Sequence, residues 1–185
     1  QPINFSIDFF IRKLWKFFCD ESLKEFEKTY ETLGVRFDTY RGESAYEDDL
    51  KPLVASLLKR GVAVESEGAV IINLDAFHLP PALIRKSDGA SLYLTRDIAN
   101  LQYRIKKYRP ARIVYVVGNE QALHFEQLFA VARILKLDGL ELTHVKYGLV
   151  LDENHKKLST REGRVIPLGD VVEKGLLGGN PLWCL

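Results

Sequence analysis

Apolar residues recur at three- and four-residue steps from Phe9 to Leu33: Phe10, Leu14, Phe17 and Phe18, then Leu23, Phe26, Tyr30 and Leu33. That spacing predicts two amphipathic helices, broken at Asp20-Glu21-Ser22 and stopped at Gly34. "VRFDTY" (35–40) alternates as a half-buried strand does, and Ala45 to Arg60 reads as a further helix ended by Gly61. Two apolar runs follow, "VAVESEGAVIINL" and "ALIRKSDGASLYL", each interrupted by a glycine turn, Ser66-Glu67-Gly68 and Ser87-Asp88-Gly89. Both predict hairpins. "FHLPPA" between them is a loop, because Pro80-Pro81 can neither continue a helix nor pair in a central strand.

Beyond Gly89 the pattern changes. Thr95-Arg96-Asp97 precedes a helix with Ile98, Leu101, Ile105 and Tyr108 on one face, and Pro110 follows its end. "RIVYVVG" (112–118) has the continuous β-branched character of a strand buried on both sides of a parallel sheet. A polar turn, Gly118 to Gln121, leads into a helix with Phe125, Leu128, Phe129, Ala132 and Leu135 inward, and "ELTHVKYGLVL" is a closing strand. Alternating strands and helices of this kind predict half of a doubly wound α/β sheet, preceded by a mixed helix-and-hairpin region. The expected division is 1–88, 89–172 and a tail, 173–185, in which "LLGGNPLWCL" loses all periodicity.

Composition adds bounds. Hydrophobic residues make up 46% of 185 and aromatics 11%, enough for real cores. The 26 basic and 25 acidic residues nearly cancel, so attraction for phosphate must come from local patches. The two cysteines, Cys19 and Cys184, lie at opposite ends without metal-ligand spacing, which fits a reducing compartment and argues against a zinc site. No apolar run reaches the roughly 18–20 residues of a membrane span, and no signal peptide opens the chain. A cytoplasmic, globular protein is expected. The absence of methionine and the start at Gln1 predict a piece excised from something longer, with a tail that is cut or foreign.

In an open parallel sheet, ligands bind beyond the carboxyl ends of the strands. Three segments meet that condition: Gly118 to Gln121, His144 to Val150, and the stretch "KKLSTREG", Lys156 to Gly163. Lysines and an arginine give charge-assisted contacts to phosphate oxygens, Ser159 and Thr160 add short donors, and Gly163 admits close backbone approach. Taken alone, a solvated basic loop is the commoner meaning of such a stretch. Asp97 is either an N-cap or first-turn acid, or a buried carboxylate for a cationic substrate. Tyr93 is a hairpin core aromatic unless its hydroxyl faces the same pocket. Gln121 starts a helix or contacts substrate, and His124 is a packed or capping residue more often than a catalyst. No nucleophile triad, acid pair or metal box stands out.

The blocks "SDGASLYLTRDIANLQYR", "IVYVVGNEQALHFEQLFAVARIL", "HVKYGLVL" and "KKLSTREGRVIPLGDVV" resemble, in order, the catalytic domain of arginyl-tRNA synthetases, class I ligases that join arginine to its tRNA. "LKEFEKTYETLGVRFDTYRGES" and "VESEGAVIINL" resemble the insertion within that domain. The resemblance runs from about residue 11 to 172. It implies the second half of a Rossmann-like (HUP-type) nucleotide-binding fold, preceded by a mixed α+β connective insertion.

Lys157-Leu158-Ser159-Thr160-Arg161 corresponds to the family's form of the KMSKS loop, commonly KMSTRKG, with Leu158 where methionine is usual and Glu162 where lysine is frequent. The resemblance gives Lys157, Ser159, Thr160 and Arg161 a catalytic role, stabilising charge on the leaving pyrophosphate as the arginine carboxylate attacks the α-phosphate of ATP. It assigns arginine recognition to Tyr93, Asp97 and Gln121. His124, Tyr147, Gly148, Leu149 and Val150, with Lys157, are similar to positions lining the ATP site. Mg²⁺ would travel on the ATP phosphates, with no metal ligands from the chain. The implied partners are arginine, ATP and tRNA(Arg), in a monomeric parent away from membranes. The HIGH signature is missing: the four histidines stand in "FHLPP", "LHFEQ", "THVKY" and "NHKKL", so this piece is not expected to aminoacylate alone. The alternatives are another nucleotidyl transferase of the same fold, or a non-catalytic nucleotide- or tRNA-binding piece.

Overall fold

The computed structural model describes residues 3–137 and 139–148, together with Gly169 and Val172. Helix α1 runs unbroken over Ile3–Thr32, where the periodicity predicted two helices. The expected break does not occur because Asp20 and Glu21 are absorbed into the helix surface: Lys16 reaches Asp20 at 2.7 Å and Lys24 reaches Glu21 at 2.5 Å, one turn apart in each direction. Exposed pairs of this kind stabilise a helix by about 0.2–0.5 kcal/mol each. With no glycine or proline among these residues, that suffices to carry the turn through. Gly34 does end the helix, in the left-handed conformation at φ 68°, as a C-terminal glycine should.

"VRFDTY" is not a strand. Its aromatics fold back on the last turn of α1 instead: the rings of Tyr30 and Phe37 meet edge to face at 4.9 Å, and Phe37 meets Tyr40 at 5.7 Å. Alternation therefore reported contacts with a helix end rather than with a neighbouring strand. α1 and this segment belong to one compact unit, and Arg41–Leu149 forms another with its own core.

In the second unit a 3-10 turn, Glu43–Tyr46, leads into α2, Glu47–Lys59, whose first turn carries Glu47, Asp48 and Asp49. Acids there complement the helix dipole. Strands β1 (Val64–Ser66), β2 (Ala69–Ile72) and β3 (Ala82–Arg85) form an antiparallel sheet in that order. The first predicted hairpin is present, turning at Glu67-Gly68, both with positive φ. The second is reduced to a single bridge, Arg85 to Ser91, since α3 (Tyr93–Tyr108) begins before a return strand can form.

β4 (Arg112–Gly118), α4 (Ala122–Ile134) and β5 (Glu141–Tyr147) complete the unit, with β4 and β5 paired in parallel from Arg112↔Glu141 to Gly118↔Tyr147. β4 is not buried on both faces. Ile113 and Tyr115 point into the core, whereas Val114 and Val116 are 47% and 64% exposed. The strand preceding α3 belongs to the antiparallel sheet, so the described parallel sheet has two strands.

One core serves both sheets. Leu50, Leu53, Val54 and Leu57 of α2, Val70, Ile72 and Ile84 of the antiparallel sheet, Ile98 and Leu101 of α3, and Phe125, Leu128 and Val131 of α4 are all buried in it. Thr95, fully buried, donates its hydroxyl to the Ile84 carbonyl. That bond fixes the first turn of α3 against β3, and so sets where Asp97 stands.

Candidate active site

Because α3 starts at Tyr93, Asp97 lies in its second turn and is neither an N-cap nor a first-turn acid. A carboxylate there has no helix-start amide to accept from. Its partner comes from another helix: the Asp97 Oδ2 to His124 Nε2 distance is 2.6 Å, with about a third or less of each side chain exposed. A carboxylate only accepts, so the imidazole nitrogen is the donor. The 3-10 turn Asn119–Gln121 after Gly118 sets the start of α4, and this places His124 opposite α3.

Tyr93 stands one helical turn before Asp97, on the same side of α3, and is 68% exposed. It is therefore not a core aromatic of a hairpin, and its hydroxyl is open to solvent-borne ligands. Gln121 is exposed on the turn beyond β4. Tyr147 closes β5 opposite Gly118, with Gly148 next, so both lie at the carboxyl end of the parallel pair. Leu149, Val150, Lys157, Ser159, Thr160 and Arg161 lie outside the described residues.

Four further residues shape the region: the sequence pattern marks Phe125 as an inward helix position and puts His144 and Glu120 in strand-end segments, but gives neither them nor Tyr115 a role of its own. His144 donates from Nε2 to the Val117 carbonyl at 2.9 Å and lies against Phe125, ring centroids 4.4 Å apart. The Phe125 and His124 rings in turn meet edge to face, centroids 5.2 Å apart. The chain Val117–His144–Phe125–His124–Asp97 thus ties β4, β5, α4 and α3 together beside the strand ends. Tyr115, beneath them, has its hydroxyl held above the usual tyrosine range, mainly by burial, with the negative charge of Asp97 adding and Arg104 opposing. Finally, the Glu120 carboxylate folds over Gly118, its Oε2 2.5 Å from where a Cβ would stand. A side chain at 118 would displace it.

The region thus presents a part-buried carboxylate, Asp97, with an exposed phenol one turn before it on α3 and an exposed amide, Gln121, on the turn beyond β4. Among the described residues no cluster of three or more potential metal ligands occurs, and no helix is long and apolar enough to cross a membrane.

The sequence matches, over residues 5–178, the family described as tRNA synthetases class I (R), catalytic domain. Arginine–tRNA ligase of Exiguobacterium sp. (strain ATCC BAA-1283 / AT1b) is 48% identical over 165 residues, which covers 89% of this chain and 29% of that protein. The Levilactobacillus brevis arginine–tRNA ligase is 48% identical over 162 residues, again 29% of its length. The crystal structure of arginyl-tRNA synthetase from Plasmodium falciparum superposes on 76% of this chain and 25% of its own, with TM-score 0.65 and 32% identity. A Campylobacter jejuni structure gives TM-score 0.67 over 84% of this chain and 34% of its own; at 21% identity it speaks to the fold alone. The chain thus spans about 29% of the length of the curated relatives it matches. With the family pattern covering most of its residues, the α/β chain belongs to the class I tRNA synthetases (R), as part of their catalytic domain.

Proposed function

We propose that the chain is a segment of an arginine–tRNA ligase, acting in the activation of arginine by ATP to arginyl-adenylate before transfer to tRNA(Arg). In this reading, residues 1–88 are the connective insertion of the catalytic domain and 89–172 the second half of its Rossmann-like fold. The observation that carries it is Asp97: a carboxylate in the second turn of α3, part-buried and already gripping a nitrogen donor from α4. Such a group suits a guanidinium, which needs a planar anionic partner. Tyr93 and Gln121 supply the flanking oxygen and amide.

The adenosine of ATP sits against His124 and the Tyr147 to Val150 backbone, and Mg²⁺ accompanies the phosphates. Lys157 and Arg161, with Ser159 and Thr160, neutralise the pyrophosphate as it leaves. The setting is the cytoplasm, with tRNA(Arg) as the second substrate.

The test is arginine-dependent ATP–pyrophosphate exchange by the full-length ligase. Replacing Asp97 by alanine removes a charged hydrogen-bond partner of about 1.5–3 kcal/mol. The arginine KM then rises roughly ten- to hundredfold, with the ATP KM little changed. An unaltered arginine KM in this variant defeats the assignment.

A further inference from the structure

The stripe of α3 that carries Tyr93 and Asp97 continues to Asn100, since positions 93, 97 and 100 follow the four- and three-residue steps of one helix face. Asn100 is gripped from the turn before α2: Tyr46, only 2% exposed, donates its hydroxyl to the Asn100 Oδ1 at 2.9 Å. We propose that Tyr46 is a positioning residue for arginine recognition, fixing through Asn100 how α3 presents Tyr93 and Asp97. The inference rests on the reading of Asp97 as the arginine carboxylate.

The ring of Tyr46 is packed independently of its hydroxyl. The guanidinium of Arg41 lies over Tyr103 of α3, 4.0 Å from the ring centroid, and over Tyr46 at 4.8 Å, and it donates to the Ala45 carbonyl at 3.3 Å. The Tyr46 and Tyr103 rings meet edge to face, centroids 5.8 Å apart. Apolar burial is non-directional, whereas a hydrogen bond weakens steeply when it is misaligned. The hydroxyl therefore selects one rotation of α3 among those that ring packing alone would allow.

Other contacts along the helix do not do this for Asp97. Arg96 reaches Glu47 at 3.1 Å across the same seam, but the Glu47 side chain is 60% exposed, and a pair screened by solvent contributes little. The Thr95 hydroxyl, bonded to the Ile84 carbonyl, anchors the first turn of α3 to β3. Tyr46 acts one turn further on, upon the stripe of Asp97 itself. A rotation that re-seats Asn100 carries Tyr93 and Asp97 with it, and a misplacement of about 1 Å at such groups is enough to be felt in the kinetics. Tyr46 belongs to the part read as the connective insertion and α3 to the nucleotide fold, so the insertion contributes to arginine affinity through this bond.

The experiment is arginine-dependent ATP–pyrophosphate exchange by the full-length ligase carrying Tyr46→Phe, which keeps the ring and removes the hydroxyl. The arginine KM should rise about two- to tenfold, the range that one hydrogen bond spans, with the ATP KM unchanged. Asn100→Ala should do the same, and the double variant should be no worse than the more affected single one. An unchanged arginine KM in Tyr46→Phe overturns the proposal, as does a parallel rise in both KM values, which is what general loosening of the fold would give. Fully additive effects in the double variant overturn it too, because the two residues would then act separately. If Tyr46→Phe fails to fold, Asn100→Ala decides by the same split between the two KM values. Asp97→Ala run alongside separates the two levels: an arginine KM unaltered there removes the underlying reading, whereas a raised one with Tyr46→Phe silent removes this inference alone.

Discussion

Asp97 was ambiguous because the start of its helix was ambiguous. If α3 began after "TRD", the residue would be a capping acid; with α3 beginning at Tyr93, a cap is excluded and a long-range partner is required. The shift has a local cause, the buried Thr95 hydroxyl bonded to the Ile84 carbonyl, which satisfies a strand acceptor from within the helix's first turn. Nothing in the order of residues between 84 and 97 announces that bond. His124 was readable as a ring of uncertain purpose, and only the fold brings it from 27 positions away onto Asp97. Tyr115 offers a check on this corner. Burial raises its titration above the unfolded value of about 10, so the neutral phenol's contribution is intact below that pH and is lost as pH climbs through the folded value. Tyr115→Phe, which cannot ionise, should reduce the loss of stability on the alkaline side. Denaturant melts of both proteins above about pH 10 measure this, and equal losses would show that Tyr115 is not held neutral by the fold.

Elements with strong periodic patterns were legible, and those read from short alternations were not. α2, α4, the β1–β2 hairpin and the β4–β5 pair stand where the apolar spacing put them. The segment after Gly34 misled because Phe37 and Tyr40 alternate against a helix end, and "RIVYVVG" misled because valines fill its exposed face too. The break assigned at Asp20 to Ser22 rested on polar composition alone, which cannot distinguish a turn from a solvated helix surface carrying its own ion pairs. Proline in place of Ser22, on the exposed side of α1, separates the two cases. In a continuous helix it removes the bond to the carbonyl four residues earlier and costs about 3 kcal/mol. Faster amide exchange on both sides of residue 22 is the expected outcome, and protection unchanged from wild type would argue for a natural break there.

At the scale of the molecule, the family is carried by a match that runs over residues 5–178, and not by any one motif. The strand ends, the turn at Gly118 and the helix start at Tyr93 bring Asp97 and His124 together, with Tyr93 on the same helix and Gln121 and Tyr147 at the neighbouring ends. Charge recognition is the central claim, and a neutral isostere of arginine tests it most directly. Citrulline replaces the guanidinium by a neutral urea of nearly the same shape, with a carbonyl oxygen in place of one charged NH2 donor. The measurement is the ratio of kcat/KM for arginine to that for citrulline in ATP–pyrophosphate exchange, in the full-length ligase and in Asp97→Asn. The account predicts that the substitution lowers arginine kcat/KM roughly ten- to hundredfold, as the loss of a charge-assisted pair does, and collapses the ratio by a similar factor. A ratio left as large in Asp97→Asn as in the wild type would mean that the positive charge is read elsewhere, and would contradict it.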